Sequence, residues 1–99
     1  MSKVEAYIQK EILQYLRSLP QCRPFKIIVA NERGIPDIIC CLNGRFVGFE
    51  VKRPGAKPTR IQDAQRERIA AAGGVVYVVT SLDDTKNIIT TIGGKYYGM

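Results

Sequence analysis

The chain has 99 residues, the length of one small domain with a single hydrophobic core. Its 15 Lys and Arg side chains outnumber 9 Asp and Glu, so the net charge is +6. This surplus favours a polyanionic partner, with nucleic acid as the first candidate and an anionic membrane surface as the second. No apolar run is long enough to span a membrane and no secretory signal is visible, so we expect a soluble, cytoplasmic protein.

Histidine is absent, which excludes a Ser-His-Asp triad, an imidazole base and any zinc site that uses histidine. The three cysteines, Cys22, Cys40 and Cys41, form no Cys-x-x-Cys pair, and we expect them to be reduced and mostly buried. Catalysis would therefore depend on carboxylates, lysine or a metal ion that is bound by oxygen ligands.

The predicted elements follow the order α-β-β-β-α-β-α. In chain order we predict a helix over 3–19, strands over 25–30, 37–42 and 45–52, a helix capped by Thr59 that ends near 72, a strand over 75–79, a short helix over 81–92 and a tail over 93–99. The fourth strand is apolar throughout, so we expect it to be buried on both faces. This order predicts an α/β fold in which helices pack against a mixed sheet.

A two-residue hairpin turn at Asn43-Gly44 predicts which residues face each other. If Leu42 faces Arg45, then Asp37 faces Glu50, and two carboxylates at that distance repel each other unless a cation lies between them. Lys52 lies two residues beyond Glu50 on the same side of the strand. Gly48 lies on that side too, and we expect it to leave space above the strand.

Glu5 falls inside the apolar arc of the first helix, where a carboxylate needs a partner. Each of these signals also has a structural interpretation. Glu5 could complete a capping box with Ser2, and Gln62 could do the same with Thr59. Glu50-x-Lys52 alone most often indicates a cross-strand ion pair, and Pro36-Asp37 a turn before a strand.

Taken together, Glu5, the segment 34–37 (Gly-Ile-Pro-Asp), the segment 50–52 (Glu-Val-Lys) and Gln62 resemble the PD-(D/E)XK nucleases. The resemblance is closest to the virus-type replication-repair nuclease branch, VRR-Nuc, which also forms the catalytic module of the Fanconi-associated nuclease. It extends from Glu5 to about Thr80, and no motif residue is missing. The resemblance implies one nuclease domain over 1–99 with a restriction-endonuclease-like αβββαβ core. It also implies a free-standing, bacteriophage-type enzyme, without the accessory DNA-gripping domains of larger relatives.

This resemblance, together with the facing carboxylates, implies a role for each motif residue. Asp37 and Glu50 would bind Mg²⁺ or Mn²⁺, with help from the Val51 carbonyl, and Lys52 would orient the attacking water. Glu5 would bind a second metal ion or a metal-bound water. Gln62 would contact Lys52 or the attacking water. Basic side chains near the motifs are candidates for phosphate contacts: Arg33, Arg53, Lys57, Arg60 and Arg66, continued by Arg68.

The expected activity is metal-dependent, structure-specific cleavage of four-way (Holliday) junctions or other branched DNA by a homodimer. A flap or single-strand-junction nuclease is the nearest alternative. A DNA-binding module that keeps the fold but does not cut is another, and an enzyme acting on nucleotides is a third. We expect no nucleotide cofactor, because Gly93-Gly94-Lys95 lacks the other residues of a phosphate loop.

Overall fold

The computed structural model describes residues 2–93 and confirms the predicted order of elements. The elements are α1 (Lys3–Arg17), β1 (Cys22–Lys26), β2 (Ile38–Leu42), β3 (Arg45–Val51), α2 (Arg60–Ala71), β4 (Val75–Val79) and α3 (Leu82–Gly93). The predicted tail beyond Gly93 lies outside the described residues. Within residues 2–93, no helix is both long and apolar enough to cross a membrane.

The four strands form one mixed sheet in the order β1-β2-β3-β4. The first three strands are antiparallel, and β4 runs parallel to β3. Asn43 and Gly44 have φ angles of 52° and 81°, as the predicted hairpin turn requires. Leu42 faces Arg45 and Ile38 faces Phe49, so the predicted register is confirmed.

The hydrophobic core lies between one face of the sheet and α1, with α3 beside it. Helix α1 buries Ile8, Ile12 and Leu16, while every second residue of β3 is buried on the facing side. Phe49 is the largest of these fully buried side chains. Because side chains alternate along a strand, Gly48 and Glu50 point to the opposite face, on which α2 packs.

The first strand lies earlier in the chain than predicted. We expected a strand over 25–30, but β1 ends at Lys26, and Ile28 and Val29 are exposed in the loop that follows. The pairing with β2 explains this shift. β2 begins only at Ile38, so the last backbone contact available is the hydrogen bond from the Ile27 N–H to the Asp37 carbonyl, at 2.9 Å. A run of β-branched residues cannot extend a strand beyond the end of its partner.

Three smaller expectations were also wrong. Helix α1 ends at Arg17 rather than at residue 19, and Val4, placed in the apolar arc, is 52% exposed. Strand β4 is an edge strand of the described sheet, and Val78 is 38% exposed, so β4 is not buried on both faces. The expectation for the cysteines is confirmed, because all three are free and two of them, Cys22 and Cys40, are buried.

The loop over residues 27–37 packs against the sheet and against α2. Gly34 has a φ angle of +79°, and a Cβ atom there would lie 2.5 Å from Cγ2 of Ile61. Pro36 packs over Gly48, where an added Cβ would lie 3.0 Å from the proline Cγ, so the space expected above Gly48 is filled by the proline ring. Gln65 donates a hydrogen bond to the Arg33 carbonyl at 3.0 Å. These contacts fix the segment that leads into Asp37.

We predict that Gly34→Ala destabilises the protein by about 1–3 kcal/mol more than Gly55→Ala does. Both glycines have positive φ angles, 79° and 88°. Only Gly34 has no room for a Cβ atom, because no neighbouring atom lies within 4 Å of a Cβ added at Gly55. Urea unfolding followed by circular dichroism measures both free energies. Equal losses in the two variants would show that the loop does not press against Ile61.

Candidate active site

Asp37 and Glu50 lie at the end of the β2–β3 hairpin that is furthest from its turn. The register brings Asp37 opposite Glu50, one position beyond the last paired residues of β2. The Val51 N–H donates a hydrogen bond to Oδ2 of Asp37 at 2.8 Å, which fixes this carboxylate against β3. Glu50 is completely buried, and its Oε2 lies 3.4 Å from Nη1 of Arg66. Lys52 is close enough for its charge to act on both carboxylates.

Burial raises the pKa of both carboxyl groups above their ordinary values. For Asp37, the Val51 N–H and the Lys52 charge oppose this rise, while the Glu5 charge adds to it. For Glu50, the charges of Arg66 and Lys52 oppose the rise, and that of Asp37 adds to it. The neighbouring N–H group and cations therefore offset only part of the cost of burying the two negative charges.

The second oxygen of Glu50 has no partner. Its Oε1 is buried and accepts no hydrogen bond from any described residue. A buried, unpartnered carboxylate oxygen beside a second carboxylate fits a hard divalent cation, which takes oxygen ligands and compensates both charges. No group of three His, Cys, Asp or Glu side chains within residues 2–93 could hold a metal ion. A cation here would therefore combine Asp37 and Glu50 with oxygen atoms of water, backbone or substrate.

Glu5 joins the site from α1. Its backbone N–H donates to Oγ of Ser2 at 3.1 Å, so Ser2 does cap the helix. Its carboxylate does not complete the capping box, because Oε2 accepts the Arg53 N–H at 3.1 Å. The side chain thus spans from α1 to the segment after β3, and its charge acts on Asp37. Glu5 is thus near Asp37, although the three carboxylates do not form one group that could hold a metal ion.

Gln62 forms the capping box that the sequence also allowed. The Thr59 side chain accepts the Gln62 N–H at 3.2 Å, and Oε1 of Gln62 accepts the Thr59 N–H at 2.9 Å. The oxygen of the Gln62 side chain is thus hydrogen-bonded to the backbone at the start of α2. Its amide N–H groups remain for the predicted contact with water, whereas a contact with the Lys52 ammonium, which only donates, needs the second lone pair of this oxygen.

The predicted phosphate-contacting residues fall into two groups. The exposed side chains are Arg33, Arg53, Lys57, Arg60 and Arg68. Arg66 differs, because its guanidinium is partly buried and pairs with Glu50 and with Oδ1 of Asp63, the latter at 2.6 Å. Arg66 is therefore an ion-pair partner of Glu50 and not part of the exposed basic surface. The spacing of Asp63 and Arg66, three residues apart on a helix, was the only sequence signal for this pairing.

Sequence reasoning missed Gln9 as a candidate functional residue. Gln9 lies one helical turn after Glu5 and is 2% exposed, and neither its Oε1 nor its Nε2 has a hydrogen-bond partner among the described residues. Its position between Ile8 and Ile12 on the buried side of α1 was the available signal. A polar side chain kept in the core at a cost in stability is typical of functional sites.

The αβββαβ order, with Pro-Asp and Glu-x-Lys at one end of a mixed sheet, is the arrangement that the resemblance to restriction-endonuclease-like nucleases implies. The phage protein named "Putative nuclease p44", of Acyrthosiphon pisum secondary endosymbiont phage 1, is 34% identical over 80 residues, which cover 80% of this chain and 85% of the relative. No family model matches the chain.

Two solved structures share the fold. One, named "VRR_NUC domain", has a TM-score of 0.79 and 26% identity, and the match covers 92% of this chain and 99% of that one. The other, named "VRR_NUC domain protein", has a TM-score of 0.73 over 92% of this chain and 88% of its own, and at 14% identity it shows a likeness of fold alone. The chain belongs to the VRR-Nuc family of nucleases.

We predict that Glu50→Gln raises the stability of the metal-free protein at pH 7 and that this gain shrinks as the pH falls. Because burial raises the pKa of Glu50 in the folded state, the native protein binds this proton more tightly than the unfolded chain does. Stability is therefore lost as the pH rises from the unfolded pKa through the raised folded pKa. Urea unfolding in EDTA at several pH values measures the difference between the two proteins. A gain that does not depend on pH would show that Glu50 does not titrate in this interval.

We also predict that Gln9→Leu raises the free energy of unfolding by about 1–2 kcal/mol, because an apolar side chain replaces an unpartnered buried amide. The same variant should lose nuclease activity if the amide serves the site. Thermal and urea unfolding, measured alongside cleavage, test both statements. A stability that falls would indicate that the amide is paired in the wild-type protein.

Proposed function

We propose that the protein is a metal-dependent endonuclease that hydrolyses phosphodiester bonds in branched DNA. The observation that carries this proposal is the pair Asp37 and Glu50. The charge of Lys52 acts on both carboxylates, and one buried Glu50 oxygen has no hydrogen-bond partner among the described residues. This arrangement provides cation ligands and a positive side chain at one place. These are the parts that phosphodiester hydrolysis requires.

Asp37 and Glu50 would hold Mg²⁺ or Mn²⁺, with the Val51 carbonyl as a further oxygen ligand. When bound, the ion supplies charge that polarises the scissile phosphate and lowers the pKa of a water molecule. Lys52 would orient the attacking water and stabilise negative charge that develops on the phosphate oxygens. Arg66 pairs with one oxygen of Glu50, and its charge opposes the rise in the pKa of this carboxyl group.

Glu5 and Gln62 would act around this centre. The Glu5 carboxylate, which accepts the Arg53 N–H through one oxygen, would use the other to hold a metal-bound water or a second ion. The side chain of Gln62 would donate to the attacking water through its amide N–H, or accept from Lys52 through the second lone pair of its oxygen. Phosphate contacts would come from the exposed cations Arg33, Arg53, Lys57 and Arg60.

The resemblance to the VRR-Nuc family implies a branched substrate, and the exposed cations are compatible with it. Arg and Lys contacts to phosphates position DNA without reading its sequence, so the geometry of the substrate would decide where it is cut. A homodimer with two-fold symmetry would present two sites at a fixed separation, which suits paired cuts in opposed strands of a four-way junction. Cleavage of flaps or single-strand junctions is the nearest variant. The phage relative, which is named a putative nuclease, supports a phage-encoded enzyme, and such an enzyme would work in the host cytoplasm.

The direct test is cleavage of a labelled four-way junction, a flap and a matched linear duplex in Mg²⁺, Mn²⁺ or EDTA. We expect paired cuts in the junction that require the metal, and a loss of at least about 100-fold in rate for Asp37→Asn, Glu50→Gln and Lys52→Ala. Asp83→Asn, an exposed position on α3, is the matched control and should cut at the wild-type rate.

Two further measurements separate the alternatives. Mg²⁺ should raise the melting temperature of the wild-type protein and not that of Glu50→Gln, because only the former has both carboxylates. Tight junction binding that needs no metal, without cleavage in either metal, would instead favour a non-cutting DNA-binding module. Sedimentation that shows only monomer with and without junction DNA would contradict the homodimer.

A further inference from the structure

Two apolar side chains in the loop between β1 and β2 are left in solvent. Ile28 is 78% exposed and Val29 is 87% exposed, the highest values among the exposed large hydrophobic side chains of residues 2–93. No packing within the described chain explains why two adjacent β-branched residues stand at this tip. Exposed apolar side chains that are adjacent to a functional site are typical of contact surfaces.

The tip is held in place beside the active site. On one side, the Ile27 N–H donates a hydrogen bond to the carbonyl of Asp37, and Ile28 is the next residue. On the other side, Gln65 binds the Arg33 carbonyl, and Gly34 packs against α2. The loop therefore presents its apolar tip at a defined position relative to the carboxylate pair.

The charges around the tip fit nucleic acid. Lys26 precedes it, and its charge acts on Asp37, while Arg33 follows it and is exposed. The acidic side chain in the loop, Glu32, accepts a hydrogen bond from Gln65 at 3.1 Å. An apolar tip flanked by cations can contact base faces while the cations contact the adjacent phosphates.

We propose that Ile28 and Val29 form a wedge that packs against unstacked bases at the branch point of the DNA and so selects branched over linear substrates. This inference rests on the proposed function, since it assigns a substrate contact to the same site. Bases at a branch are already partly unstacked, so a wedge inserts there at less cost than into a continuous duplex. The fixed distance from the tip to the carboxylates would then set the position of the cut.

A second copy of this chain is the other possible occupant of the tip, and two observations disfavour it. Two side chains supply far less than the roughly 800 Å² that each partner buries in a stable interface. A two-fold contact centred on the tip would also bring Lys26 and Arg33 of both copies together, and like charges in contact oppose association.

The test compares the double variant Ile28→Ser/Val29→Ser with Ile28→Leu/Val29→Leu, which keeps the tip apolar. The substrates are a four-way junction that carries 2-aminopurine at the branch and a linear duplex that carries it in the same sequence. We expect the serine variant to lose the preference for the junction in kcat/KM by about tenfold or more, and the leucine variant to keep it. Both side chains are exposed, so the melting temperatures should not change.

The fluorescence of 2-aminopurine gives a readout that does not depend on cleavage. Binding of the wild-type and leucine proteins in EDTA should raise its emission at the branch, because the base becomes unstacked, and binding of the serine variant should not. An equal rise with all three proteins overturns the wedge, even if none of them cuts DNA. If wild-type protein raises the emission but never cuts, the proposed nuclease fails while the wedge stands.

Two other results would also overturn the wedge. A leucine variant that behaves like the serine variant would show that apolar character is not what the tip contributes. A dimer in sedimentation that the serine substitutions convert to monomer would assign the tip to the contact between two copies.

Discussion

Two carboxylates that repel each other across β2 and β3 are the constraint on which the rest of the structure depends. The hairpin register brings Asp37 and Glu50 together at the end of the sheet, and burial raises the pKa of both. The surrounding contacts offset part of this cost: the Val51 N–H binds one carboxylate and Arg66 the other. The other oxygen of Glu50 has no hydrogen-bond partner among the described residues, so no protein group compensates its negative charge. A divalent cation fits this position.

The elements around the pair are arranged to hold it in position. Gly34 allows the loop before Asp37 to lie against α2, and Gly48 allows Pro36 to lie on the sheet. From the opposite side, Glu5 connects α1 to the segment after β3. The loop, the two helices and the sheet therefore meet at one place, although their residues are far apart in the chain. Helices and strands position the residues of a site more precisely than loops do.

Local patterns explain which features could be predicted. The order of the elements, the hairpin turn and the facing of Asp37 and Glu50 follow from periodicity and from turn chemistry, which act over a few residues. The end of β1 could not be predicted in this way, because it depends on where β2 begins. The place of Arg66 could not be predicted either. A basic side chain on a helix is normally solvated, and only the packing of α2 on β3 shows that its partner is Glu50.

The sequence by itself determined the fold class, the charge, and the identity and register of the carboxylate pair, because each depends on residue type and on contacts close in the chain. Only the tertiary structure decided that Arg66 pairs with Glu50, that Gln9 is buried without a hydrogen-bond partner among the described residues, and that Ile28 and Val29 are exposed. These properties depend on what packs against each side chain. Such neighbours come from distant parts of the chain, which no local pattern specifies.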